Sequence, residues 1–183
     1  MPAAAMLHLT LICDAGSGAP PGFPDDPPLA AGTPAPAPLP PVDAAWSSPA
    51  RRALQTAALL GLAPTAAAAL RDCDHGRWRG RTLAEIARQE PDALAAWTAD
   101  PDAKPHGGES VSEVALRVGS WLDERCGDRG ELVAVTHGVV IRAAIAHALG
   151  AGIAACARID VPPLCRTLLT GHGGGWRLRA HGC

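Results

Sequence analysis

The sequence predicts an α/β fold built on a mostly parallel sheet, and three observations carry that prediction. Residues 7–13 and 131–136 are short, near-continuous apolar runs, the pattern of strands buried on both faces. Candidate strands alternate with helical segments along the chain, as a parallel sheet with crossover helices requires. Near the C-terminus two strand-like runs flank Gly171-His172-Gly173-Gly174-Gly175, which reads as an antiparallel hairpin at one sheet edge. A chain of 183 residues is long enough to bury a substantial core as one compact domain, residues 1–183.

Each element has its own reason. After the strand over 7–13, residues 16–42 hold ten of the eighteen prolines, so no helix persists and no sheet ladder forms there. The segment reads either as a solvated loop or as a lid, and both place it just after Asp14. A strand over 43–47 follows, then Ser48 as N-cap and Pro49 in the first turn of a helix over 50–60. Ala53, Ala57 and Leu60 share one face of that helix, and Gly61 stops it. Residues 66–70 are alanine-rich, so propensity favours helix, but the strand–helix alternation calls for a strand and a strand is predicted. Helices are predicted over 83–90, 92–98, 111–125 and 139–149, with Ser110 and Glu113 forming a capping box at the third. Strands over 157–161, 166–170 and 176–180 complete the chain.

Composition excludes several classes. Sixteen basic against eighteen acidic residues leave no general attraction to nucleic acid or to an anionic membrane. The six cysteines are too scattered for a metal ribbon and too sparse for a disulfide scaffold, which points to reduced thiols and a cytoplasmic protein. Residues 1–6 lack a basic segment, and the apolar run behind them carries His8 and Thr10. It reads as a strand, not as a signal peptide or a membrane span.

The chemistry concentrates at Ala134-Val135-Thr136-His137-Gly138-Val139-Val140-Ile141-Arg142. Here an apolar strand ends on a histidine at the start of a helix, where free N–H groups and the dipole's positive end favour an anion. The strand over 7–13 should deliver a partner group to the same place, and it delivers Asp14.

Four segments, taken together, resemble the histidine phosphatase superfamily, the phosphoglycerate-mutase-like group. Ser47-Ser48-Pro49-Ala50-Arg51-Arg52-Ala53-Leu54-Gln55-Thr56-Ala57 is similar to its second motif, and Leu70-Arg71-Asp72-Cys73-Asp74-His75-Gly76-Arg77-Trp78-Arg79-Gly80 to its third. Gly107-Gly108-Glu109-Ser110 and the segment around His137 follow in the family's order. The resemblance implies a three-layer α/β/α sandwich of phosphoglycerate-mutase type, with a mostly parallel central sheet and an antiparallel C-terminal edge. It also implies an Arg-His-Gly first motif whose histidine becomes phosphorylated, an arginine on the phosphate, a glutamate as proton donor and a final histidine as phosphate ligand. Residue by residue, Arg52 and His137 match, Asp72 stands at the acid position, and Cys13-Asp14-Ala15 replaces Arg-His-Gly.

A charge pair near 4 Å is worth roughly 4 kcal/mol at an effective dielectric of about 20, so this exchange should weaken dianion binding by several kcal/mol. Asp14, His137 and Asp72 are therefore expected as the catalytic groups of a repurposed acid/base enzyme acting on a small anionic or polar metabolite. Hydrolysis, isomerisation, elimination and cyclisation all suit such a site. A silent pseudo-phosphatase and a residual phosphatase are the competing readings. Arg52 is expected to anchor substrate, with Cys13 beside it. Glu109 and Ser110 are candidates either for positioning substrate or for capping the next helix. Arg77, Arg79 and Arg81 form a solvated face unless they turn inward, Arg77 then contacting substrate. His8 and His147 read as structural or exposed, and His106 as near enough to Gly107-Gly108-Glu109-Ser110 to touch substrate. Cys13, Cys73, His75 and His137 are imaginable as a zinc set, but their spacing is wrong for a chelating pair, so neither metal nor cofactor is expected. Homodimerisation stays open. Two carboxyls in one pocket predict that one of them titrates well above the ordinary aspartate value of about 3.9.

Overall fold

The computed structural model describes residues 6–173 and 175–182. The expectation that the first residues carry no leader segment, and the turn position Gly174, lie outside the described residues. Along the chain run β1 (Leu7–Cys13), β2 (Gly22–Phe23), β3 (Ala44–Ser47), α1 (Arg51–Leu59), β4 (Thr65–Ala66), β5 (Arg81–Thr82), α2 (Leu83–Gln89) and α3 (Pro91–Ala99). There follow α4 (Val111–Asp123), β6 (Gly130–Thr136), α5 (Gly138–Ala148), β7 (Arg166–His172) and β8 (Gly175–Gly182).

Six strands form the central sheet in the order β4-β3-β6-β1-β7-β8. The pairs β4–β3, β3–β6 and β6–β1 are parallel, and β1–β7 and β7–β8 are antiparallel. Alternation along β1 and β6 decides which residue faces which helix layer. Leu7, Leu9, Leu11 and Cys13 join Leu132 and Ala134 against residues of α4 and α5. Ile12, Val133 and Val135 turn the other way, onto Ala53 and Ala57 of α1. The small α1 residues let that helix lie close to the sheet. Among the described residues no helix is long and apolar enough to cross a membrane.

Several expectations need correction. The alanine-rich run 66–70 gives only the two-residue β4 and then a 3₁₀ turn over Ala68–Leu70, because both β4 residues are exposed and nothing rewards further pairing. The predicted strand 157–161 is instead the end of a 3₁₀ segment, Ile153–Arg158. Helix α1 begins one residue later than predicted, Ala50 is its N-cap and no side chain caps it. The capping box of Ser110 and Glu113 is present at α4.

The proline-rich segment is more tightly held than its composition suggests. Despite its prolines it forms one short ladder, β2 on β5. Phe23 is buried against Trp78 (ring centroids 4.9 Å), Trp97 (5.6 Å) and His75 (4.9 Å). Farther along, Asp26 Oδ1 accepts from the Arg51 N–H (2.8 Å), Leu29 N donates to Gln55 Oε1 (2.8 Å), and Arg166 donates to the Ala37 carbonyl. The segment is thus a strap laid over the start of α1.

Phe23 is the strap's buried aromatic anchor, with Leu39 and Val42 partly buried farther along, and truncating a buried phenylalanine costs roughly 3–5 kcal/mol. Phe23→Ala is expected to lose about 3 kcal/mol in urea unfolding and to open residues 16–42 to limited proteolysis. An unchanged cleavage pattern would mean that the β2–β5 ladder, the three hydrogen bonds and the packing of Leu39 and Val42 hold the strap without Phe23.

Candidate active site

The site follows from strand register. Cys13 pairs with Thr136 and Ser47 with Val135, so β3, β6 and β1 end side by side. One residue beyond those ends stand Ser48, His137 and Asp14. Backbone bonds fix them there: Asp14 N donates to Thr136 O (2.8 Å) and Ser48 N to Val135 O (2.9 Å). Gly138 opens α5 directly behind His137. On the α1 side, Thr56 Oγ1 donates to Arg52 O (2.7 Å) and accepts from Ala15 N (3.1 Å), holding the backbone beside Asp14.

The side chains form one connected cluster. Asp14 Oδ2 lies 2.8 Å from His137 Nδ1, and Asp14 Oδ1 accepts from Gly16 N (2.9 Å) and faces Arg52 Nε at 3.2 Å. The Arg52 guanidinium also bonds Asp72 and comes within 2.9 Å of His137 Nδ1. On the far side of the imidazole, Nε2 lies 2.7 Å from Ser48 Oγ. Asp14, Arg52, His137 and Ser48 are all buried, whereas the Asp72 side chain retains 26% exposure.

Electrostatics fix the protonation of Asp14. Burial alone would raise its pKa, but the hydrogen bond and charge of His137, the Arg52 charge and the Gly16 N–H outweigh it, leaving the carboxyl below its ordinary range. The expectation of a carboxyl held neutral therefore fails at this residue, because three donors reach an anion that the sequence alone left unpartnered. His137 Nδ1 thus faces an acceptor, Asp14 Oδ2 at 2.8 Å, and a donor, Arg52 Nη2 at 2.9 Å, at the same nitrogen. Arg52 is likewise held charged: burial opposes its charge, and Asp14 and Asp72 more than compensate. Cys13 is pushed up by burial, by Asp14, by Cys165 and by Asp72, so its thiol stays protonated.

Beside the cluster opens a cleft of about 310 Å³, lined by Pro24, Asp25 and Asp26 of the strap, by Pro49, Ala50 and Arg52, and by Arg71, Asp72, Cys73, Asp74 and Arg79. Four aspartates face three arginines there. Each of those arginines already has a carboxylate of the chain itself: Arg52 has Asp14 and Asp72, Arg71 has Glu109, and Arg79 has Asp74. The positive charge an anionic ligand would seek is spent internally.

The remaining sequence candidates fall elsewhere. Glu109 neither caps α4 nor lines the cleft; it accepts from Arg71 (2.9 Å) and from Arg117 Nε and Nη2 (2.8 and 2.9 Å). Arg117 also donates to the carbonyls of Ala69 and Asp72, so this network positions the loop that bears Asp72. Ser110 is the α4 cap. Arg77 turns away to Glu90 and the Pro105 carbonyl, and Arg81 joins Glu90 and Gln89. His106 is buried under the loop, its Nδ1 accepting from Gly108 N (3.0 Å). Cys73 Sγ donates to the Glu109 carbonyl rather than facing His137. His8 and His147 pair with Glu131 and Asp123. The glycines of this region have a steric reason: a Cβ on Gly108 would lie 2.0 Å from Asp74 O, and one on Gly76 2.2 Å from His106 O.

Sequence reasoning assigned Ser48 to a helix cap and so missed its contact with His137. The signal was its place at the strand-to-helix turn, where a side chain points along the sheet toward the neighbouring strand end. Arg117 and Asp26 were also missed; both reach their partners across long sequence separations that no local pattern marks.

The profile of the histidine phosphatase superfamily (branch 1) matches residues 37–183, a stretch that begins downstream of Asp14. Glucosyl-3-phosphoglycerate phosphatase of Mycobacterium tuberculosis is 43% identical over 75 residues, 39% of this chain and 34% of that protein. The enzyme of the same name from Mycolicibacterium vanbaalenii is 36% identical over 117 residues, 57% of this chain and 52% of that protein. The chain thus matches between a third and about half of the length of these relatives. A solved mycobacterial glucosyl-3-phosphoglycerate phosphatase with inorganic phosphate superposes with a TM-score of 0.79 at 26% identity, covering 98% of both chains.

Removing Arg52 leaves Asp14 buried without its cation, and breaking a buried pair from one side costs roughly 3–5 kcal/mol. Arg52→Met is expected to lower unfolding free energy by about 3 kcal/mol, and Arg52→Lys to recover part of it. A loss below about 1 kcal/mol, the level of a surface pair, would show that the cluster is not electrostatically closed. The Asp14 shift sets the acid limb. Its folded pKa lies below the unfolded value of about 3.9, so its stabilisation is complete above that value and is lost as pH falls through the lower folded one. Urea midpoints measured from pH 5 downward should fall less steeply in Asp14→Asn than in wild type; parallel slopes would contradict the assignment.

Proposed function

The chain belongs to the histidine phosphatase superfamily, branch 1, and we propose that its strand-end site has exchanged phosphoryl transfer for proton transfer on a small polar metabolite. One observation carries the reading: the carboxylate of Asp14 stands at the end of β1, where the superfamily resemblance expects the phosphorylated histidine, and binds both His137 and Arg52.

Two consequences follow from that placement. A dianion entering the cleft meets Asp14 and Asp72 on the guanidinium that would have held it, so each exchanged charge removes several kcal/mol of attraction. An imidazole oriented by a buried carboxylate is, by contrast, a general base with a fixed proton position. In this reading His137 takes the substrate proton, Asp14 orients and stabilises it, Asp72 is the carboxyl nearest solvent that exchanges protons with the cleft, and Arg52 fixes a polar oxygen. A cleft of about 310 Å³ suits a metabolite of modest size. The names of the relatives support a small polar substrate as well, since they are called phosphatases of phosphorylated metabolites.

A second reading, a binding protein without catalysis, is favoured by the burial of His137 and Ser48. Phosphatase activity at a residual level is the third, favoured by the relatives' names.

Loss of both nucleophile and charge clamp is expected to slow hydrolysis of p-nitrophenyl phosphate at least roughly a thousandfold relative to a family member that has them. Cys13→Arg combined with Asp14→His should raise it. A wild-type turnover of about 1 per second, ordinary for a working enzyme, would overturn the proposal.

A further inference from the structure

We infer that Ser48, His137 and Asp14 form a Ser-His-Asp relay, and that the site cleaves a small carboxylic ester through an acyl intermediate on Ser48. The inference rests on the proton-transfer reading of His137 and names its substrate class. Three observations converge on it.

The first is order and distance. Asp14 Oδ2 is 2.8 Å from His137 Nδ1, and His137 Nε2 is 2.7 Å from Ser48 Oγ. The sequence carboxylate, imidazole, hydroxyl is unbroken, with the carboxylate buried and fully supplied with donors, as an orienting group must be. The second is proton direction. Ser48 Oγ accepts from Ala50 N (3.2 Å), which leaves its own proton to point at Nε2. Nδ1 lies between Asp14 Oδ2 and Arg52 Nη2 (2.8 and 2.9 Å); in the tautomer that donates from Nδ1 to Asp14, Nε2 offers its lone pair to the hydroxyl, and the relay uses that tautomer to activate serine. The third is the setting. Ser48 lies in the turn between β3 and α1, at the end of a sheet strand and ahead of a helix N-terminus, which is where a nucleophile elbow places its serine.

The step balances. Ser48 Oγ bonds to the ester carbonyl carbon as its proton passes to His137 Nε2, and the carbonyl π pair moves to oxygen. Collapse breaks the C–O bond to the alkoxide, which leaves with the proton from Nε2 as an alcohol. Water then adds to the acyl carbon, giving its proton to Nε2; the Ser48–acyl bond breaks, the hydroxyl recovers the proton and a carboxylic acid departs.

Ser48 is shut off from solvent, and the neighbouring cleft, bordered by Pro24, Asp25 and Asp26 of the strap, reaches Pro49 and Ala50 but not Ser48, so the relay requires a local opening there before an ester can enter. Its contact at the turn is specific: Asp26, held at φ 46°, places a carboxylate on the Arg51 N–H, a helix-start donor suited to an oxyanion. In the proposed relay the Asp26 carboxylate competes with a substrate oxygen for this donor, so its removal favours entry.

The test is covalent labelling of the full chain with an alkyl fluorophosphonate, followed by peptide mapping. The expected result is an adduct on Ser48, formed at least tenfold faster in Asp26→Ala, absent in Ser48→Ala, and slowed a hundredfold or more in Asp14→Asn. Thermal midpoints of the variants separate loss of labelling from loss of fold, and the wild-type map needs no variant at all. Absence of an adduct on Ser48 in both wild type and Asp26→Ala, or an adduct that persists in Ser48→Ala, overturns the relay. If p-nitrophenyl phosphate turnover is also negligible, the relay alone fails and the altered clamp stands; brisk phosphate turnover instead removes the reading beneath it.

Discussion

A buried guanidinium costs several kcal/mol unless anions meet it, and the site of this protein is arranged around one such group. Arg52 enters from α1, the helix that packs on the Ile12, Val133 and Val135 face of the sheet. It finds Asp14 on one side and Asp72 on the other. Its charge makes an ionised Asp14 tolerable, and Asp14 and Arg52 together hold the His137 ring at Nδ1 so that Nε2 faces Ser48. The loop bearing Asp72 is held in turn by Arg117 and Glu109. Charge compensation, rather than apolar packing, thus determines the local geometry.

The sheet was legible because its cause is local and repetitive. Leu7, Leu9, Leu11 and Leu132 belong to runs too short for a helix and too apolar for a surface strand, and their faces follow from a period of two. The hairpin of β7 and β8 was equally plain from its glycines. Residues 66–70 and 157–161 were misread for one reason: strand pairing there depends on whether a neighbour offers an open edge, a tertiary fact that overrides both propensity and alternation. The strap escaped in another way. Ten prolines do forbid long ladders, yet one aromatic residue, Phe23, finds an apolar socket formed by Trp78 and Trp97, about 55 to 75 residues away.

At the site, the residues carried by motif resemblance were legible as a set, because Asp14 and His137 follow strand ends, Arg52 lies in the first turn of α1, and Asp72 follows the 3₁₀ turn over Ala68–Leu70. Their protonation was not. Counting two carboxylates in one pocket suggested a shared proton, but the outcome depends on how many donors each oxygen meets, and Asp14 meets three. The same limit hid Glu109, whose two arginine partners could not be inferred from its position before Ser110. Arg77 shows the converse, since adjacency to a motif placed it near the cleft and its torsions carried it to Glu90.

The substitution at position 14 has a double effect that no surface change would produce. A histidine at that strand end would add a cation or a neutral base beside Arg52 and leave His137 without an orienting anion. Aspartate subtracts the attraction for phosphate and, through the same oxygen atoms, supplies the fixed acceptor that a general-base imidazole needs. In the proposed reading both effects follow from a single placement, a carboxylate 2.8 Å from Nδ1. The neighbouring helix-start donor is already occupied, since the strap's Asp26 accepts from the Arg51 N–H. The strap that borders the cleft is held by Phe23, by Leu39 and Val42 on the α1 side of the sheet, by the β2–β5 ladder and by Asp26 on the Arg51 N–H, so its release would be a cooperative event rather than the loss of one contact.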